Sequence, residues 1–162
     1  MMAAAKKKMT LEKLVTRLGK DRKSGRKVVF TNGCFDILHV GHVRYLMAAR
    51  SAGDLLVIGL NSDASVRSIK GPKRPIVTQD QRAEVLASLA CVDYVVTFDE
   101  PDPMQLIRAL KPDVLVKGED WAEENIVGAE FVKAYGGQVL RVQFVDETST
   151  SGIIQRIVDR YC

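Results

Sequence analysis

Cysteine is scarce in this 162-residue chain: Cys34, Cys91 and Cys162 are odd in number and form no C-x-x-C pair. That excludes a disulfide framework and fits reduced thiols in a cytoplasm. Long apolar runs are missing too, and none approaches the roughly 18 residues that a bilayer-spanning helix needs. Met1 to Lys8 is basic but lacks an apolar core or a cleavage site, so no secretory signal is expected. Aromatic residues make up only 6% of the chain, too few for a base-stacking surface. Neither a G-x-x-x-x-G-K-[ST] loop nor a G-x-G-x-x-G turn after a strand occurs, which removes the P-loop and dinucleotide-binding readings. Histidine is rare as well, with His39 and His42 the two in the chain.

The formal charge of +4 is unevenly spread. Residues 1–27 carry ten Lys or Arg against Glu12 and Asp21, whereas the remainder holds fourteen basic and eighteen acidic residues. The basic character therefore belongs to the N-terminal segment and not to the fold, and a nucleic-acid partner is not expected. Residues 1–8 read as disordered. Thr10 to Leu18 suits a short helix with Leu11, Leu14, Val15 and Leu18 on one face, ending near Gly19. Segment 1–27 thus reads as a basic extension with a short helix, and 28–162 as the domain proper.

From residue 28 the chain alternates between two patterns. Apolar runs suited to buried strands fall at Val28–Thr31, Leu55–Leu60, Tyr94–Phe98, Val114–Lys117 and Gln138–Phe144. Helical patterns lie between them. One begins near Gly41 and buries Val43, Leu46 and Met47. Thr78 and Gln81 form a capping box for Gln79–Ala90, with Val85, Leu86 and Leu89 inward. Asp102 and Pro103 open a helix with a Met104, Ile107 and Leu110 stripe. Another uses Ile126, Val127, Phe131 and Val132 and stops at Gly136-Gly137. The last starts near Ser149, with Ile153, Ile154, Ile157, Val158 and Tyr161. Strands alternating with helices predict a single-domain, Rossmann-like α/β fold: a doubly wound, five-stranded parallel sheet with helices on both faces.

Such sheets bind ligands beyond the carboxyl ends of their strands. The first strand runs into Thr31-Asn32-Gly33-Cys34-Phe35-Asp36-Ile37-Leu38-His39-Val40-Gly41-His42, a strand-to-helix turn. Free N–H groups and the positive end of the helix dipole make that corner an anion site, and two imidazoles add donors. Gly33 and Gly41 leave room for a phosphate to approach the backbone. No third zinc ligand stands at a convincing spacing, and Cys34, with no adjacent base, reads as a small residue behind the site.

The other strand ends are also polar. Asn61-Ser62-Asp63 follows the second strand, Lys117-Gly118-Glu119-Asp120-Trp121 the fourth, and Asp146-Glu147-Thr148-Ser149-Thr150-Ser151 the fifth. Trp121 suits either a stacking platform or a lid on the core. Residues 62–77 read as a long structureless loop carrying Arg67, Lys70, Lys73 and Arg74, able to close over a polyphosphate. The hydroxyl cluster before the last helix suggests a second phosphate site.

Asn32-Gly33-Cys34-Phe35-Asp36 with His39-Val40-Gly41-His42, and Ser149-Thr150-Ser151 followed by Ile153, resemble the two signatures of the H-x-G-H nucleotidyltransferase superfamily. T-N-G-C-F-D, G-L-N-S-D-A-S, K-R-P-I, L-V-K-G-E-D-W and D-E-T-S-T-S are most similar to the D-glycero-β-D-manno-heptose 1-phosphate adenylyltransferase branch. These residues include nothing resembling that branch's kinase domain, so the likeness is to its free-standing form. Glycerol-3-phosphate cytidylyltransferases share H-x-G-H but usually carry an arginine ahead of the final serine-threonine motif, where this chain has Phe144-Val145-Asp146-Glu147. A non-catalytic nucleotide-binding regulatory domain is the remaining alternative.

The resemblance implies AMP transfer from ATP to a heptose 1-phosphate in a bacterial cytoplasm, for lipopolysaccharide or surface-glycan precursors. It implies Mg²⁺ bound through the nucleotide phosphates, no protein metal site, no membrane partner, and a homodimer. His39, His42 and Lys70 would be catalytic. Thr31, Asn32, Gly33, Cys34, Phe35, Gly41, Arg74, Lys117, Gly118, Ser149 and Thr150 would bind nucleotide. Asn61, Arg82, Asp120 and Trp121 would serve the sugar phosphate, and Asp36 would bind it or orient the turn.

Overall fold

Five parallel strands, all rich in Val, Leu and Ile, run side by side in the order β3-β2-β1-β4-β5. They are β1 (Val28–Gly33), β2 (Leu55–Asn61), β3 (Tyr94–Phe98), β4 (Val114–Gly118) and β5 (Gln138–Val142). The computed structural model describes residues 2–119, 122–143 and 148–162. Asp120, Trp121 and the Phe144-Val145-Asp146-Glu147 stretch, which includes the expected end of the fifth strand, lie outside the described residues.

Helices cover both faces. On one, α2 (Leu11–Lys23), α6 (Met104–Leu110) and α7 (Ala129–Ala134) bury Leu14, Leu18, Ile107, Leu110 and Val132 against Phe30, Val57 and Leu115. On the other, α3 (Val40–Arg50) and α5 (Gln79–Ser88) bury Tyr45, Leu46, Ala49 and Leu86 against Val29, Ile58 and Val116. The strand order turns back between β1 and β4, so the crevice at their carboxyl ends is the switch point where such sheets take ligands.

Several local expectations are corrected. Residues 2–8 are not disordered: Met2–Lys7 form α1, Lys7 Nζ donates to the Leu89 carbonyl at 3.0 Å, and Lys8 bridges to Val95. α2 continues through Gly19 to Lys23. The supposed loop 62–77 contains a helix, α4 (Asp63–Lys70), whose first turn is capped by the Ser62 hydroxyl accepting from Ser65 N–H. Met47 is 59% exposed and Val85 46%, because the helix faces turned to the sheet carry Tyr45, Leu46 and Ala49 in α3 and Arg82, Ala83 and Leu86 in α5. Thr78 does start α5, but its hydroxyl donates to the Gln81 side chain and caps no N–H. Asp102 caps α6 by accepting from Met104 N–H at 2.9 Å, with Pro103 at the N-cap.

The last helix, α8 (Thr150–Tyr161), starts where expected, with the Ser149 hydroxyl accepting from Gly152 N–H at 3.0 Å. None of its residues is buried, and its apolar stripe ends in a Tyr161 that is 82% exposed.

Candidate active site

At the carboxyl ends of the strands a cavity of about 450 Å³ opens over β1 and β4. Its walls come from the end of β1 and the turn after it (Asn32 to Asp36), His42, Asn61, Lys70, Arg74, Lys117 and the Ser149-Thr150-Ser151 start of α8. Segments far apart in sequence thus meet, as where the Thr150 hydroxyl donates to the Ile37 carbonyl 113 residues away. Gly41, in the first turn of α3, faces the Thr148 carbonyl: a Cβ there would lie 3.6 Å from it. The N-termini of α3 and α8 are therefore neighbours, and both dipoles favour an anion in the same place.

The two imidazoles stand against each other, ring centroids 3.8 Å apart and planes tilted by 31°. Phe35 meets His42 edge-on at 5.3 Å. Two glycines permit this stack. A Cβ on Gly41 would sit 3.1 Å from His39 Nδ1, and one on Gly33 would sit 3.0 Å from the Phe35 ring. Burial, followed by the neighbouring His39, pushes the His42 imidazole down to about 4, so it is neutral at physiological pH. Among the described residues His42 Nδ1 and Asn32 Oδ1 are buried without a hydrogen-bond partner. Buried polar atoms are nearly always paired, so two unmet positions at a cavity wall fit groups awaiting a polar ligand.

Cys34 lines the cavity, and burial raises its thiol against the opposing charges of Lys70, Arg82 and Arg74. It is protonated at neutral pH, consistent with a wall residue and not a nucleophile. Thr31 lies beneath the site, fully buried, its hydroxyl 2.8 Å from the Tyr45 hydroxyl, which in turn donates to the Val116 carbonyl. Gly118 is buried at the end of β4 behind Lys117. Asn61 Nδ2 donates to Ser65 Oγ, turning the end of β2 toward α4.

Two expected substrate contacts have other work. The Asp36 carboxylate has no solvent exposure and accepts from the N–H groups of Ile76 and Val77 and from Arg74. Burial would raise it, but those backbone N–H groups and Arg74 outweigh burial and hold it below the ordinary aspartate value. Arg82 is 2% exposed and its guanidinium is directed at protein acceptors, so it does not reach the cavity. Its expected phosphate contact is corrected on that ground. Asp120 and Trp121 lie outside the described residues.

Sequence reasoning passed over the wall built by Pro101-Asp102-Pro103 and Asn125-Ile126-Val127. The first of these follows β3, and applying the strand-end rule to that strand as well would have found it.

The cytidylyltransferase-like family profile matches residues 30–156, most of the chain. The chain belongs to the cytidylyltransferase-like family. Within it, the chain is 58% identical over 141 residues to the bifunctional protein HldE of Syntrophotalea carbinolica, covering 87% of this chain and 29% of that protein. It is 56% identical over 151 residues to the bifunctional protein HldE of Geobacter sulfurreducens, covering 93% of this chain and 31% of that one. The chain therefore spans about three-tenths of these relatives. A crystal structure of the lipopolysaccharide core biosynthesis protein from Thermoplasma volcanium superposes with a TM-score of 0.60 at 28% identity. That match covers 76% of this chain and 99% of the solved one. The family match starts within β1 and runs into α8, so it contains every described wall of the cavity.

Proposed function

We propose that this domain transfers AMP from ATP to a heptose 1-phosphate, releasing pyrophosphate and forming ADP-heptose. The observation that carries the reading is the stacked His39–His42 pair beside two converging helix N-termini in one cavity. The resemblance of T-N-G-C-F-D, L-V-K-G-E-D-W and the serine-threonine motif to heptose 1-phosphate adenylyltransferases chooses the substrates. The likeness to a lipopolysaccharide core biosynthesis protein accords with that choice.

In the proposed step a sugar-phosphate oxygen attacks the α-phosphorus of ATP. The new P–O bond forms as the bond to the bridging oxygen breaks, and pyrophosphate leaves with that electron pair. The nucleophile is already an anion and needs no general base, so positioning and charge stabilisation dominate. His42, with His39 behind it, would donate to the phosphorus centre under attack. Lys70 and Arg74 would neutralise the triphosphate, while Ser149 and Thr150 would hold its outer phosphates at the start of α8. Lys117 would contact the nucleotide or the sugar phosphate, and Asn61 the sugar phosphate.

Magnesium, when bound, would neutralise phosphate charge and make pyrophosphate a better leaving group. Phosphate oxygens would supply most of its ligands, as the resemblance implies. The resemblance also suggests a homodimer, supported by the uncovered apolar stripe of α8. No helix among the described residues is long and apolar enough to cross a membrane, and a bacterial cytoplasmic location is proposed with the activity.

The test is pyrophosphate release with ATP or CTP, each paired with heptose 1-phosphate or glycerol 3-phosphate. Turnover of ATP with the heptose is expected. Turnover confined to CTP with glycerol 3-phosphate would replace this reading, and binding without turnover would favour a regulatory domain.

A further inference from the structure

We infer that Arg82 is a positioning residue, clamping the two wall segments that carry His42's neighbour Phe35 and the cation Arg74. The inference rests on the nucleotidyl-transfer reading only for its kinetic consequences.

Arg82 sits on α5, outside the cavity, and it is the largest of the fully buried side chains. A buried guanidinium is costly unless its donors are met. Here Nε donates to the Val77 carbonyl at 2.9 Å, and Nη1 to the carbonyls of Cys34 at 2.6 Å and Asn61 at 2.9 Å. Nη2 pairs with Asp63 Oδ1 at 2.7 Å. One planar fork therefore joins the turn after β1, the end of β2, the start of α4 and the loop before α5. A lysine ammonium, a single point with three donors, cannot span four acceptors in these directions.

Two of those acceptors adjoin groups that line the cavity. The Cys34 carbonyl precedes Phe35, a non-glycine residue at φ 45°, in the sterically costly left-handed region. That conformation sets the Phe35 ring edge-on to His42. Val77 is held from both sides, its N–H donating to Asp36 Oδ1 and its carbonyl accepting from Arg82. Asp36 also receives Arg74. Cys34, Asp36, Val77 and Arg82 thus close a ring of fixed contacts that sets an aromatic neighbour of His42 on one side and a cation on the other.

The test uses R82K and R82Q in the full chain, with D63N as a milder variant that keeps the guanidinium but neutralises its carboxylate partner. Because the chain holds two histidines, NMR titration of their imidazoles reports the His39–His42 stack directly. Expected is an upward move of the His42 titration in R82K, with kcat lowered about tenfold or more, since small displacements of a catalytic group are costly. D63N moves both readouts in the same direction but less. In a double-mutant cycle, R74A combined with R82K should lose little more than the worse single variant, as residues acting through one segment are not additive.

An unshifted His42 titration in R82K and D63N, or losses that multiply in the cycle, would overturn the inference. Failure of every Arg82 variant to fold, with an unmoved titration in D63N, would likewise reduce Arg82 to a stabilising residue. If the wild-type chain turns over none of the substrate pairs, the functional reading fails while the titration still decides the role of Arg82.

Discussion

The rings of His39, the N-cap of α3, and His42, in its first turn, lie 3.8 Å apart, and the second is buried enough to stay neutral. An uncharged imidazole can donate to phosphate oxygens without first losing a salt bridge to protein. Removing its contact with a developing oxyanion costs about two to three orders of magnitude in rate. H42N should therefore lower kcat by that amount while leaving the melting temperature nearly unchanged, checked by pyrophosphate release and thermal denaturation.

The same depressed imidazole gives a pH signature. Between its ordinary value of 6.5 and its folded value of about 4, the unfolded chain binds a proton that the empty folded protein does not. Stability from this residue is therefore complete above about pH 6.5 and falls as pH drops toward 4. An anionic triphosphate favours the imidazolium, so nucleotide binding at pH 6 should take up protons in excess of those taken up by H42N. Calorimetry in buffers of different ionisation enthalpy measures the difference.

Asp36 should behave as an anchor. D36N loses the charge that receives two backbone N–H groups and Arg74. Breaking a buried, hydrogen-bonded ion pair on one side costs about 3 kcal/mol. The variant should melt earlier and show weaker ATP binding, with a smaller effect on the sugar-phosphate KM. Since the folded carboxyl lies below its ordinary value of 3.8, this contribution is intact above that pH and disappears as pH falls through the folded value. Acid melts of D36N should lack that component.

Gly41→Ala tests the close approach. The added Cβ would stand 3.1 Å from His39 Nδ1 and 3.2 Å from Cε1, and the ring must turn to accept it. Helix propensity favours alanine by about 1 kcal/mol, which offsets part of the crowding. Expected is a kcat lowered about tenfold with a melting temperature within a few degrees of wild type.

The sheet and the H-x-G-H turn were both legible in the sequence, for different reasons. Strands buried on both faces are largely apolar, so Leu55–Leu60 and Val114–Lys117 stand out as nearly continuous runs. The turn stood out because the chain's two histidines fall together at the end of such a run. α4 did not stand out: Val66 is its one buried apolar residue, and Gly71 and Pro72 beside it suggested a loop. α1, an Ala and Lys segment, presents no apolar stripe and is defined by where it docks.

The sequence by itself determined the alternation of strands and helices and the residue types at the strand ends, because burial and backbone geometry act locally and leave periodic marks. Which charges face the cavity and which hold its walls was decided only by the tertiary structure. Asp36 and Arg74 are 38 residues apart, and Arg82 and Cys34 are 48 apart. A buried ion pair leaves no local pattern, so only the folded chain shows Asp36 and Arg82 fastening the walls of the cavity.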